Sequence, residues 1–139
     1  MTRLRTISPY LLAVLLAGAG ALHFATPKTY DGIIPSFLPN PRLWTYASGL
    51  VELACAGAVG WPRTRGRGAL ATAALFVAVF PANVQMAIDP GAVPRWLALA
   101  RLPLQVPLVL WALQVRRQSR ARSARVARPS STSGPIRSS

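Results

Sequence analysis

The chain has 139 residues, of which 52% are hydrophobic, and it carries 16 basic residues against three acidic ones. A basic nucleic-acid-binding domain would spread its positive charge over an otherwise polar surface, so this composition excludes nucleic acid as the expected partner and favours a membrane protein. Cys55 is the single cysteine, so neither an intramolecular disulfide nor a Cys-x-x-Cys redox pair can form.

Four apolar segments follow one another along the chain, at residues 7–25, 43–61, 69–88 and 93–115. At about 1.5 Å per residue, each helix would be roughly 28 to 34 Å long, enough to cross a hydrocarbon core about 30 Å thick. The pattern predicts an all-α fold. We expect residues 1–115 to form an integral membrane four-helix bundle.

The first segment has an alternative interpretation as a secretory signal. Arg3 and Arg5, a leucine-rich run and the small residues 19–21 resemble such a signal. Apolar character continues through Phe24, and further apolar segments follow, so a retained first helix is the simpler prediction.

Residues 116–139 form a basic tail that is rich in Arg, Ser and Pro and nearly free of apolar residues. This composition predicts disorder. The tail's simplest role is a stop-transfer and topology signal. The alternative is binding to anionic lipid headgroups, to which each Arg near the surface contributes about 1 kcal/mol.

The basic residues predict how the chain is oriented, because Arg and Lys near helix ends are retained on the cytoplasmic side. With four crossings, Lys28, Arg42 and Arg95 fall on one side. Twelve arginines fall on the other: Arg3, Arg5, Arg63, Arg65, Arg67, Arg116, Arg117, Arg120, Arg122, Arg125, Arg128 and Arg137. We therefore expect a multi-pass protein of the plasma membrane with both termini in the cytoplasm. Tryptophans at or near segment ends agree, since indole prefers the headgroup layer.

Glu52 is the most unusual residue of the apolar segments. A carboxylate inside a membrane costs a few kcal/mol and needs a partner. Glu52 lies roughly 13 Å from the outer end of its segment and Arg101 roughly 10 Å from the outer end of another, at about 1.5 Å per residue. The matching depths predict a buried ion pair between them.

Polar residues of all four segments fall in the outer half of the predicted bundle: His23, Glu52, Asn83, Arg101 and Gln105. One interpretation is a polar pocket for a quinone or a similar carbonyl-bearing molecule, in which Arg101 or His23 donates to a carbonyl oxygen and Glu52 exchanges a proton. The other is purely structural, with these groups holding the helices together. A single histidine does not make a metal or haem site, and no catalytic residue can be assigned.

Prolines and small residues predict the local shape of the helices. Pro81, Pro103 and Pro107 lie inside predicted helices, where each removes a backbone hydrogen bond. Kinks at Pro81 and Pro103 would flank Asn83 and Arg101. Small residues are expected to allow close helix contacts, among them Gly18, Gly20, Gly49 and Gly57.

Several local motifs carry a family resemblance: Gly20-Ala21-Leu22-His23-Phe24, Ser48-Gly49-Leu50-Val51-Glu52-Leu53, Val79-Phe80-Pro81-Ala82-Asn83-Val84 and Arg101-Leu102-Pro103-Leu104-Gln105. Together they resemble the DoxX-like family of small bacterial four-helix membrane proteins, over about residues 8–115. Because relatives in that family include a small subunit of a thiosulfate:quinone oxidoreductase, the resemblance implies a quinone-linked role. It supplies neither a catalytic motif nor a cofactor-binding signature.

Three functions follow from these observations. The first is an accessory subunit that holds a quinone for a membrane redox partner protein. The alternative is a non-enzymatic scaffold or assembly factor whose outer loop, residues 26–42, contacts a partner. A small transporter is less favoured, because one four-helix chain offers little room for alternating access.

Overall fold

A computed structural model describes residues 2–91 and 93–126 of the chain. Every secondary-structure element in these two ranges is a helix, so the all-α class predicted from the sequence is confirmed. In chain order they are α1 (Thr2–Ala25), α2 (Pro27–Asp31), α3 (Pro41–Gly60), α4 (Arg65–Ala78), α5 (Phe80–Ile88) and α6 (Arg95–Val126).

Three stretches of the described residues are long and apolar enough to cross a membrane, namely Arg5–Ala25, Arg65–Ile88 and Arg95–Val126. Helix α3 is 20 residues long but is not among them. Its polar residues, Glu52 in particular, lower its average hydropathy. Length and composition therefore support three of the four predicted crossings, and α3 differs from them in carrying a carboxylate.

The helix predicted over residues 69–88 is two helices separated at Val79. Pro81 causes the break, because proline has no N–H and its ring clashes with the carbonyl four residues earlier. Proline is tolerated in the first turn of a helix, and Pro81 lies in the first turn of α5. Pro103 and Pro107, by contrast, lie inside α6 without ending it.

Helix α6 is longer than the apolar pattern predicts and continues through the arginine-rich stretch to Val126. The disorder predicted from residue 116 onward is therefore wrong for residues 116–126. Arginine is a good helix former, so a helix that is already packed can extend through it into a polar environment. Residues 127–139 lie outside the described part of the chain.

The helices pack in the order α1, α3, α4 and α6, and α5 lies on α6. Small residues from α3, α4 and α6 make up much of the core, which allows the helix axes to approach closely. The core residues are Leu12, Leu16, Cys55, Ala56, Val59, Ala69, Ala73, Phe76, Ala112 and Val115.

Two side-chain contacts show which parts of the chain share one end of the molecule. Trp111 of α6 donates from Nε1 to Oγ of Ser8 in α1, over 2.8 Å. The guanidinium of Arg65, at the start of α4, lies 4.8 Å from the centre of the Tyr10 ring. The beginning of α1, the turn between α3 and α4 and the last turns of α6 therefore lie together. We call this the basic end, because residues 3, 5, 63, 65, 67, 116, 117, 120, 122 and 125 in these segments are all arginine.

Helices α1 and α3 approach most closely where Gly20 meets Gly49. A Cβ atom at Gly20 would lie 2.9 Å from the carbonyl oxygen of Gly49, and one at Gly49 would lie 2.7 Å from Cβ of His23. Neither position has room for a side chain. At Gly18 and Gly57 a Cβ would meet nothing within 4 Å, so the close contacts predicted for these two glycines are absent.

Candidate functional site

A half-open cavity of about 100 Å³ lies at the end of the molecule opposite the basic end. It is formed where α1 ends, where α3 and α6 begin, and beside α2 and α5. We call it the polar cavity. Its lining residues are His23, Tyr30, Ile33, Ile34, Thr45, Ser48, Glu52, Val79, Ala82, Asn83 and Arg101. Four of the five residues predicted to form a polar cluster thus share this cavity, and Gln105 does not line it.

The glycine crossing places His23 beside Glu52, each three residues after its glycine. His23 Nδ1 lies 2.9 Å from the carbonyl oxygen of Ala19 and 3.3 Å from Oε2 of Glu52. A carbonyl oxygen only accepts, so Nδ1 carries the hydrogen, and in the neutral ring Nε2 has the free lone pair. The Tyr30 ring stacks on the imidazole at a centroid distance of 3.8 Å.

Glu52 makes its contact with His23 and not, as the sequence predicted, a direct ion pair with Arg101. Among the described residues, the basic group within 4 Å of its carboxylate is the His23 ring, which carries a charge only when it is protonated. The Nδ1–H of His23 is directed at Ala19, and Oε2 of Glu52 is buried without a hydrogen-bond partner in the described structure. This leaves a buried acceptor at the cavity wall.

Arg101 is a half-buried cation in the same wall. The described residues include none that forms a hydrogen bond or a close ion pair with its guanidinium. The sequence predicts similar depths for Arg101 and Glu52, and both residues line the polar cavity. The predicted direct ion pair is wrong because the two side chains line the same space without closing on each other.

An ion-pair network beside the cavity holds Tyr30 in place. Asp31, the next residue, accepts from Arg42 Nε over 2.8 Å and from Thr45 Oγ1 over 2.7 Å. These bonds fasten the short helix α2 to the first turns of α3. The hydrogen bond from Arg42, and then the one from Thr45, hold the pKa of the Asp31 carboxyl below its usual value.

Gln105 acts at the break between α4 and α5. Its side-chain amide donates to the carbonyl of Phe76, in the last turn of α4, where backbone carbonyls lack partners within the helix. Its oxygen accepts from Asn83 Nδ2 over 2.9 Å. The amide of Gln105 therefore links three helices and stabilises the broken segment, and Asn83 joins this link to the polar cavity.

Sequence reasoning missed several lining residues, among them Tyr30, Thr45 and Ser48. The signal for two of them was present, because residues 45, 48 and 52 are spaced to fall on one face of a helix. Tyr30 had no such signal, since it belongs to a stretch interpreted as a loop.

The arrangement suits a small molecule with a polar edge. Arg101 offers several N–H donors, Glu52 contributes a carboxyl group to the lining, and Ile33, Ile34 and Val79 supply apolar walls. A small number of convergent polar groups in apolar surroundings is typical of ligand pockets. The described residues include no group of three or more His, Cys, Asp or Glu side chains that could hold a metal ion.

Fold and composition together define a helical protein with apolar helices long enough to cross a membrane. Residues 12–116 match a domain of unknown function, DUF8561, and the chain belongs to this family. No curated protein and no solved structure matches the chain significantly.

The resemblance to the DoxX-like family is therefore wrong, because the family that matches residues 12–116 is DUF8561. The motifs that suggested it consist mostly of glycine, alanine, proline and single polar residues. Helix packing in membranes favours such residues in unrelated proteins, so they are weak markers of ancestry.

Proposed function

We propose that this chain is a multi-pass protein of the plasma membrane with four crossings, formed by α1, α3, the pair α4–α5, and α6. The outward-facing surface supports this. In an apolar stretch of 18 residues within each of the three candidate spans, only 28%, 22% and 17% of the residues are buried. Large apolar side chains such as Val14, Val106 and Leu110 are at least 60% exposed. Such a surface is stable against lipid and would promote aggregation in water.

The two ends of the molecule support an orientation with both termini in the cytoplasm. Ten of the described arginines lie in segments of the basic end, and positive charge is retained on the cytoplasmic side. At about 1.5 Å per residue, the 32 residues of α6 measure roughly 48 Å, which exceeds a hydrocarbon core of about 30 Å. The arginine-rich last turns of α6 therefore extend past the core.

The polar cavity, in this proposal, binds the carbonyl edge of a small lipophilic molecule such as a quinone. The observation that carries this proposal is that two polar side chains of one cavity have groups without hydrogen-bond partners. The guanidinium of Arg101 and the Oε2 atom of Glu52 lack hydrogen-bond partners among the described residues, and both residues line the same space. A buried polar group without a partner costs about 1–3 kcal/mol, which a ligand that pairs with it would recover.

The volume limits how much of the ligand is enclosed. An engineered cavity of about 150 Å³ holds one benzene ring. The polar cavity has about 100 Å³ and is half open, so it admits the polar edge of a ring while the remainder lies outside against lipid. Arg101 would donate a hydrogen bond to a carbonyl oxygen of the quinone, and the Glu52 carboxylate would accept one from a hydroxyl group of the corresponding quinol.

Thermal unfolding of purified protein tests this binding. A ligand that binds only the folded state raises Tm as its concentration exceeds Kd. We expect a short-chain benzoquinone to raise the Tm of the wild type and not that of Arg101→Gln. The matched control is Arg95→Gln, at the exposed start of the same helix. Absence of a shift in the wild type, or equal shifts in the two variants, would contradict the proposal.

A second candidate function is a scaffold for a partner protein, and one observation favours it. Phe37 lies in the connection between α2 and α3 and is 78% exposed. An exposed aromatic residue on a short connection is a common anchor in protein interfaces. If this function holds, Phe37→Ser releases a stoichiometric co-purifying protein, and the quinone-dependent Tm shift is absent in the wild type.

A further inference from the structure

A second recess lies at the basic end of the molecule, between α1 and α6. It has a volume of about 270 Å³ and is lined by Arg5, Ser8, Leu11, Trp111 and Gln114. Helix α1 packs mainly on α3, and α6 packs mainly on α4. A groove therefore stays open between α1 and α6, although the bond from Trp111 to Ser8 joins their walls.

The groove combines apolar walls with donors for an anion. Leu11 and the indole of Trp111 supply apolar surface. Arg5 supplies a guanidinium, whose fork of N–H donors matches the oxygens of a phosphate group. Ser8 accepts from Trp111 through its oxygen, so its hydroxyl hydrogen takes no part in that bond. An amphiphile with an anionic head and an apolar chain is complementary to such a surface.

The position of the groove agrees with a lipid as its occupant. Indole side chains prefer the headgroup layer of a bilayer, and Trp111 lies five residues before Arg116, where the arginine-rich last turns of α6 begin. The clustered positive charge of the basic end attracts anionic lipids to this level. The depth assignment rests on the proposed membrane topology, whereas the groove itself is a feature of the fold.

We propose that the groove between α1 and α6 binds one anionic phospholipid. Its phosphate is held by Arg5, with Ser8 and Gln114 as further hydrogen-bond donors, and an acyl chain lies along Leu11 and Trp111. The lipid thereby fills the space that α1 and α6 leave between them and fastens the first helix to the last.

Thermal unfolding of the full chain in mild detergent tests this site. The protein is titrated with dioctanoyl phosphatidylglycerol, with dioctanoyl phosphatidylcholine, and with glycerol phosphate. The variants are Arg5→Gln and its matched control Arg3→Gln, which removes the same charge from an exposed residue of the same helix outside the groove. Tm without lipid reports whether each variant folds normally.

We expect phosphatidylglycerol to raise the Tm of the wild type and of Arg3→Gln. Arg5→Gln should need about tenfold more lipid for the same shift, as the loss of one charge-assisted hydrogen bond implies. Equal weakening by both variants would show diffuse charge attraction and overturn the site. An equal response to phosphatidylcholine, or to glycerol phosphate alone, would overturn it as well.

Different experimental results would reject the lipid site and the proposed topology. Loss of the phosphatidylglycerol effect while the termini remain cytoplasmic in labelling experiments rejects the site alone. Termini that label from outside while the lipid effect persists reject the topology alone and keep the site.

Discussion

At the scale of single residues, the polar cavity depends on groups that are left without partners. Glu52 lies against His23, whose Nδ1 hydrogen is directed to Ala19. Arg101 lines the same space without a close ion pair among the described residues. The two side chains therefore line one opening without a direct contact, which leaves space between them for a ligand with a polar edge.

The Asp31 network gives a pH-dependent prediction. The pKa of Asp31 is lowered in the folded state, so its contribution to stability is complete above its unfolded pKa of about 3.9 and is lost as pH falls through the folded pKa. We expect Asp31→Asn to have a lower Tm than the wild type at about pH 7, and this difference to shrink below about pH 4. Tm measured across this range checks it.

The control for this prediction is Asp89→Asn, which neutralises an exposed carboxylate after α5. Its Tm should stay close to that of the wild type near neutral pH. A Tm difference for Asp31→Asn that persists unchanged into acid would show that the side-chain charge is not the cause.

Gln105 gives a prediction about the helix break. Gln105→Leu removes the donor to the Phe76 carbonyl and the acceptor for Asn83, so the free energy of unfolding should fall by about 1–2 kcal/mol. Gln85→Leu, at a half-buried residue of α5, is the control and should change it less. Equal losses in denaturant unfolding would contradict a specific role for Gln105.

Which residues meet could be predicted only in part. Positions along the helices fix depth, so the sequence predicts that His23, Glu52, Asn83 and Arg101 lie at one level, and all four line the polar cavity. Depth does not fix the rotation of each helix about its axis or the direction of a long side chain. Depth alone therefore predicts Arg101 as the partner of Glu52, whereas the structure has His23 beside it.

At the scale of helices, the crossing of α1 and α3 determines the geometry of the cavity. Gly20 and Gly49 let the two backbones touch, and His23 and Glu52 follow at the same spacing. The sequence showed that small residues were present in both helices. It did not show which of them form the contact, because that depends on how the helices are rotated against each other.

Replacing Gly49 tests this crossing. A methyl group in Gly49→Ala would lie 2.7 Å from Cβ of His23, so the helices must separate, at a cost of about 1–3 kcal/mol. Gly57→Ala on the same helix meets nothing within 4 Å and gains helix propensity of about 0.5–1 kcal/mol. Tm should fall for the first variant and stay level or rise for the second. Unchanged Tm in Gly49→Ala would contradict a tight crossing.

Helix boundaries show where local pattern and packing differ. Pro81 marked a disturbance in the third segment, and the structure has a break there, at Val79. The far end of α6 was not predicted, because arginine and serine composition predicts disorder while helix propensity and continuity with a packed helix favour extension. Hydropathy thus predicts the apolar part of a helix better than the place where the helix ends.

At the scale of the whole molecule, polar chemistry and positive charge are separated. The polar cavity occupies one end, and the basic end carries the arginines and the groove between α1 and α6. Membership of DUF8561 fixes the family without supplying a function. The proposed function therefore depends on how these two ends are oriented in the membrane.

Cysteine labelling tests this orientation most directly. In a Cys55→Ala background, Ser36→Cys places a thiol in the exposed connection before α3, and Ser123→Cys places one in the exposed last turns of α6. A membrane-impermeant maleimide added to intact cells should label Ser36→Cys and should label Ser123→Cys only after permeabilisation. Labelling of both positions from outside, or of Ser123→Cys alone, would contradict the proposed topology.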